Sequence, residues 1–353
     1  MRREETVYLP ESDRAPGCDH PRDTYDLIGH ADAETQFLRA QNSGRLHHAW
    51  LITGPQGVGK ATLAYRIIRH MLGGQSQLRG SLNIPVEDPV SQRISAQGHG
   101  NLFVLRRPYD EKLKRFKTEI PVAAVRDMNS FFENTPAEDK LPRIAIIDCM
   151  DDMNRNAENA LLKTLEEPPK DALILLLANS PGRLLPTIRS RCMLMQLRPV
   201  PEADIMPWLR NQIDAAPNVI DGAVKLSRGG PGKALALVQN ADEVLGPLTR
   251  FISSLERNDS SFDQTMAGRL SLKDQAASRQ LFWDCLQDIL QSQARYSVTG
   301  EWTGAFKPFP VSKPAEHWMR LWSKMGEWQR VEDAINMDKK TVLLTALSEL
   351  RAA

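Results

Sequence analysis

The stretch GPQGVGKAT, Gly54–Thr62, decides how this chain is read. Its G-x-x-x-x-G-K spacing is that of a loop that wraps a phosphate, with Gly54, Gly57 and Gly59 freeing backbone N–H groups and Lys60 supplying a cation. The context fits. Ahead of the loop, AWLIT (Ala49–Thr53) is a short apolar strand. Behind it, KATLAYRIIRHMLGG carries Leu63, Ile67, Ile68 and Met71 at helical spacing and stops at Gly73-Gly74, so the helix dipole adds its positive end to the loop. One residue breaks the pattern. Ala61 stands where a Ser or Thr hydroxyl normally holds Mg²⁺. Thr62 is the nearest hydroxyl, but one position later on a helix turns it about 100° away.

Outward from the loop, LFVL (Leu102–Leu105), RIAIID (Arg143–Asp148), ALILLLA (Ala172–Ala178) and MLMQL (Met193–Leu197) read as further strands, separated by helical segments such as VAAVRDMNSFFEN. Strands apolar almost throughout and alternating with helices predict an α/β fold, a parallel sheet covered on both faces. Past LRPVPEAD (Leu197–Asp204) no strand pattern follows, and helical stretches continue to the end. Boundaries are expected near Pro199 and Val244. The first 25 residues, rich in charge and Pro, read as a loose arm. Five of the seven tryptophans (Trp283, Trp302, Trp318, Trp322, Trp328) fall in the last part, where core packing is the plainer reading and a partner surface the other.

The chain of 353 residues is 41% apolar and 25% charged, with 45 Lys plus Arg against 44 Asp plus Glu. That composition describes an ordinary globular protein without a global field for nucleic acid or anionic membrane, so any DNA contact must be local. The N-terminus has no apolar signal core, and the longest apolar run is too short for a bilayer. A cytoplasmic protein with no membrane partner is the expectation. Cys18, Cys149, Cys192 and Cys285 lie far apart with no C-x-x-C pair, which suits reduced thiols better than disulfides or zinc.

Two further positions belong to the nucleotide chemistry. Asp148 supplies the carboxylate expected at a later strand end, and Asn179 ends a neighbouring strand where a polar side chain can sense a γ-phosphate. The residue after Asp148 is Cys149, where ATPases of this type usually carry a water-polarising Glu. With Ala61, this makes two defects that remove hydrolysis machinery. Asp151 and Asp152 read as helix-capping residues together with Asn154 or Asn156. By composition alone Arg183, Arg189 and Arg191 are solvated surface cations, and the basic cluster Arg106, Arg107, Lys112, Lys114, Arg115 and Lys117 is a solvated loop or a DNA-phosphate contact.

Together, HHAWLITGPQGVGK, KTEIPVAAVRDM, DDMNRNAENALLKTLEEPP and LLPTIRSRC resemble the delta-prime family of clamp-loader subunits in bacterial DNA polymerase III holoenzyme, AAA+ relatives of the gamma/tau motor subunits. The resemblance runs from about Leu27 to Pro199 and is weaker through SRGGPGKALAL. It implies an arm over 1–25, an AAA+ RecA-like domain over 26–198, a small helical lid over 199–243 and an all-α collar over 244–353. It implies a hetero-oligomeric ring with gamma/tau and delta subunits that opens the sliding clamp and loads it on primer-template DNA. Arg191, in Ser190-Arg191-Cys192, is implied as an arginine finger on a neighbour's ATP. Gly54, Gly57, Gly59, Lys60, Thr62, Asp148 and Asn179 are the expected ATP or ADP contacts, with Mg²⁺ held weakly or not at all, and intrinsic ATPase is expected to be weak or absent. Relatives often carry a four-cysteine zinc module between the loop helix and the next strand; Leu72–Phe103 has no cysteine, so no zinc is expected. In the lid, Gly232 stands where motor subunits place a phosphate-sensing Arg, with Lys233 one residue later. The alternatives are a motor-type gamma/tau-like ATPase and a stand-alone phosphoryl-transfer enzyme.

Overall fold

The structure is a computed structural model that describes residues 10–78, 80–135, 137–138, 140–255, 259–309, 313–335 and 338–352. The chain divides into two compact units, one built on Asp19–Pro199 with the described part of Met1–Arg14, the other on Val200–Ala353 with Ala15–Cys18.

The first unit contains strands β1 (Ala49–Thr53), β2 (Leu102–Leu105), β3 (Tyr109–Asp110), β4 (Arg115–Phe116), β5 (Arg143–Ile147), β6 (Ala172–Ala178) and β7 (Met193–Gln196). Its helices are α1 (Ala31–Asn42), α2 (Lys60–Met71), α3 (Pro89–Ser95), α4 (Val122–Glu133), α5 (Arg155–Glu166) and the short α6 (Pro186–Arg189). Five strands form one sheet in the order β2-β5-β6-β1-β7, every pair parallel. β3 and β4 pair only with each other as an antiparallel hairpin.

Alternation along the buried strands assigns each residue a face. Ala49, Leu51, Ala145, Ile147, Ile174 and Leu176 join Val125 and Met128 of α4 and Ala157, Leu161 and Leu165 of α5 in one core. Trp50 points the other way and meets Phe37 of α1 at 5.3 Å between ring centroids, while α2 packs on β1 and β6. Each fully buried Leu or Ile is worth about 1.5–3 kcal/mol of transfer free energy. β7 lies at the sheet edge, and Met193 and Leu194 are exposed there.

The N-terminal segment departs from the loose arm expected. Residues 1–9 lie outside the described residues, but those after Pro10 are held down by charge. Glu11 pairs with Arg22 and Arg106, both at 2.6 Å, and Asp13 pairs with Arg106 at 2.9 Å and His20 at 3.1 Å. The Glu11 and Asp13 side chains are 7% and 1% exposed. A segment rich in charge reads as solvated only while its partners are out of sight.

The second unit is helical: α7 (Glu202–Gln212), α8 (Pro217–Ser227), α9 (Pro231–Gln239), α10 (Gly246–Leu255), α11 (Asp263–Leu270), α12 (Ala276–Thr299), α13 (Ala315–Ile335) and α14 (Lys339–Ala352). Apart from Pro199, which belongs to the first unit, segments 199–243 and 244–353 fall within this one unit. They are tied by the buried Lys233 of α9, which donates to Asp288 of α12, and by Arg228, which reaches the same carboxylate at 3.1 Å. Trp283 and Trp318 are fully buried core residues. Among the described residues, no helix is long and apolar enough to cross a membrane.

Candidate functional site

Parallel pairing brings the strand ends together. Thr53 registers with Ala178 and Ile147 with Leu176, so Gly54, Asp148 and Asn179 emerge at one edge of the sheet. Gly54 binds back to this edge, its N–H donating to the Ala178 carbonyl at 3.3 Å. With φ of 154°, a Cβ added there would meet the Leu197 carbonyl oxygen at 2.7 Å, so the loop turns only on glycine. Gly57 and Gly59 likewise have positive φ, 74° and 112°. His30, buried beneath the loop, hydrogen-bonds the Val58 carbonyl at 2.9 Å, and burial keeps its pKa below the ordinary histidine value. Among the described residues, none accepts a hydrogen bond from the N–H of Gln56, Gly57 or Gly59, the donor set a phosphate requires.

Lys60 caps this arrangement. Its ammonium donates to the carbonyls of Gly54 at 2.8 Å and Pro55 at 2.9 Å, and to Asn179 Oδ1 at 2.6 Å. Three donors serve three acceptors. Burial lowers the Lys60 pKa against the pull of the Asp148 and Asp151 carboxylates. Burial likewise pushes the Asp148 carboxyl up to about 7, although Lys60 and Arg106 pull the other way. Ala61 adds no oxygen, and Thr62 lies in the first turn of α2. The residues present fit a nucleotide phosphate and do not fit its metal.

The position beside Asp148 is chemically quiet. Cys149 is half-buried, its Sγ donates to Asp151 Oδ2 at 2.8 Å, and burial together with Asp151 and Asp148 raises its pKa well above the ordinary thiol value. A protonated thiol cannot take a proton from water. Asp151 does not cap a helix as expected from sequence. It accepts from Cys149 and from the backbone N–H groups of Asn179 at 2.6 Å and Ser180 at 2.9 Å, fixing the turn that carries Asn179. Asp152 pairs with Arg107 at 3.1 Å, and Asn154 alone caps α5, accepting from Ala157 N at 3.0 Å. Asp151 and His30 are supporting residues that motif spacing did not single out.

Arg191 is elsewhere. It lies two residues before Met193, which registers with Trp50 near the start of β1, hence at the sheet edge opposite the loop. At ~3.3 Å per residue, β1 alone separates the two edges by roughly 15 Å. The guanidinium is partly exposed, donates to the Thr187 carbonyl at 3.0 Å, and pairs at 2.8 Å with Glu166 at the end of α5. It touches none of the loop residues.

In the second unit the Lys233 ammonium is spent internally. Burial works against its charge, but Cys285, Asp288 and Asp284 outweigh it and hold the pKa above the ordinary lysine value. None of the four cysteines forms a disulfide. Among the described residues, no group of three His, Cys, Asp or Glu side chains comes together in a way that could hold a metal.

Residues 29–201 match the family model described as DNA polymerase III, delta subunit. The chain is 36% identical over 200 residues to the DNA polymerase III subunit delta' of Pseudomonas aeruginosa, covering 56% of this chain and 58% of that one. It is 30% identical over 185 residues to the DNA polymerase III subunit gamma of Buchnera aphidicola, covering 52% and 48%. Among solved structures, it matches a DNA polymerase III gamma-subunit-related protein of Thermotoga maritima with 16% identity and a TM-score of 0.38, covering 90% and 99%. The matched stretch thus spans under two thirds of the length of these curated relatives.

Proposed function

We propose that the chain is a delta-prime-type clamp-loader subunit which lends Arg191 to a neighbouring ATPase, a reading supported by the match of residues 29–201 to the family model described as DNA polymerase III, delta subunit. The observation that carries this reading is the separation of two features. The partly exposed Arg191 stands at the opposite sheet edge from the chain's own phosphate loop, where its guanidinium can face another subunit.

The planar fork suits the charge that develops on a γ-phosphate. Glu166 holds the fork in place through a single exposed ion pair, worth at most about 1 kcal/mol, so a stronger acceptor can take it over. The loop keeps a phosphate cradle in Gly54, Gly57, Gly59 and Lys60, and ATP or ADP is the ligand it fits. Hydrolysis falls to the motor subunits, because Ala61 takes away a metal ligand and Cys149, a protonated thiol, stands where the base would be. The partners are gamma/tau and delta subunits and, through them, the sliding clamp and primed DNA.

Assembly tests the reading. Mixed with a gamma/tau-type and a delta-type subunit, the chain is expected to elute from gel filtration in a single larger complex. A chain that stays alone while the other two associate contradicts it.

A further inference from the structure

The hairpin of β3 and β4 is a feature for which neither the phosphate loop nor the finger has a use. It leaves the sheet after β2, whose Leu105 registers with Ile147, and so rises from the edge that carries the phosphate loop. Its base is rigid. Tyr109 and Phe116 meet edge-to-face at 5.3 Å, and Arg107 lies 6.0 Å over the Phe116 ring.

The basic cluster read from sequence divides in two here. Arg106 is neutralised by Glu11 and Asp13, and Arg107 by Asp152. Lys112, Lys114 and Lys117 are instead exposed, and none of the described acidic side chains forms an ion pair with them. Asp110 is committed to the turn, its Oδ1 accepting from the N–H groups of Lys112 and Leu113, both at 3.0 Å. Between the two tip lysines sits Leu113, 60% exposed.

We propose that this hairpin is a sequence-independent DNA contact, with Lys112, Lys114 and Lys117 on backbone phosphates and Leu113 against the edge of the bases. Phosphate contacts supply affinity without reading sequence, and apolar wedges such as Leu are used at base steps in the minor groove. Primed DNA is the probe chosen because of the clamp-loader reading, but binding to the isolated chain does not depend on Arg191.

Fluorescence anisotropy of a labelled primer-template with the full chain tests it. Wild type is expected to bind at low salt and to weaken with salt along a log–log slope of about −0.9 per phosphate neutralised. Lys112→Glu/Lys114→Glu/Lys117→Glu is expected to weaken binding by about tenfold or more and to flatten that slope, with an unchanged melting curve. Leu113→Ala is expected to weaken binding and leave the slope alone, and Lys170→Glu, an exposed lysine ahead of β6 at the opposite sheet edge, to change neither. The proposal is overturned if wild type shows no salt-dependent binding or if the triple variant binds as wild type does. A poly-glutamate peptide that binds more tightly than DNA of equal charge also overturns it, in favour of an acidic protein partner.

Discussion

Replacing Arg191 by alanine is expected to leave the chain folded and assembled while cutting the DNA-stimulated ATPase of the complex and slowing clamp loading. Folding survives because the group removed is partly exposed and its one ion pair, to Glu166, is solvent-screened. Rate is lost because a finger supplied in trans is worth on the order of 10³ to 10⁵ in GTPases. Only the site facing this chain loses its finger, so total turnover falls by less than that factor. Loading, which needs the sites to act together, falls further. Arg191→Lys is expected to rescue poorly, since an ammonium cannot bridge two oxygens with a planar fork. Glu166→Ala separates the finger from its tether: it breaks the same ion pair but keeps the guanidinium, and most activity is expected to remain. Arg183→Ala, on the preceding loop, serves as a second control. Steady-state ATPase and clamp loading by the reconstituted complex provide the readout, and a normal loading rate with Arg191→Ala returns that residue to the status of a surface cation.

The second large effect is on stability. Asp288→Ala is expected to destabilise the helical unit by about 3–5 kcal/mol, because it strands the Lys233 ammonium, whose side chain is 5% exposed. Arg228 loses its carboxylate partner as well and keeps only Gln291 and the Asp288 backbone carbonyl. The pair itself is worth much less than its breakage. Lys233→Met/Asp288→Ala removes both charges and is expected to recover most of the loss, so that a double-mutant cycle in urea shows strong coupling. The sign with pH follows from Lys233. Its folded pKa lies above its unfolded value, so its contribution is fully present below the unfolded pKa and is lost only as pH rises through the folded one. Between about pH 6 and 9 the wild-type contribution is therefore expected to stay constant, whereas the penalty for Asp288→Ala is expected to shrink toward high pH as the stranded, buried Lys233 sheds its proton.

The same two sites mark what sequence could and could not reveal. Local order was legible: AWLIT, the glycine loop and the α2 stripe are contiguous, so period and spacing identify strand, turn and helix at once. The place of Asn179 at the end of a strand beside the one carrying Asp148 was legible too, because parallel strands deliver their ends to one edge, but its hydrogen bond from Lys60 was not. Long-range charge pairing was not. Lys233 finds Asp288 55 positions away and Arg106 finds Asp13 93 positions away, and neither carboxylate has any periodic or motif signature. For the same reason Asp151 read as a helix cap, when its partners are the N–H groups of Asn179 and Ser180 on another strand's exit. The hairpin escaped notice as structure because its strands are two residues each, too short for an alternation to register.

That the chain keeps a phosphate loop for the fold it organises, while cleavage belongs to its neighbours, is tested most directly by ATP hydrolysis of the purified chain alone, measured beside Lys60→Ala. Hydrolysis at background in both samples is the predicted result. Robust turnover by wild type that disappears in Lys60→Ala would show a working site despite Ala61 and Cys149, and would contradict the account.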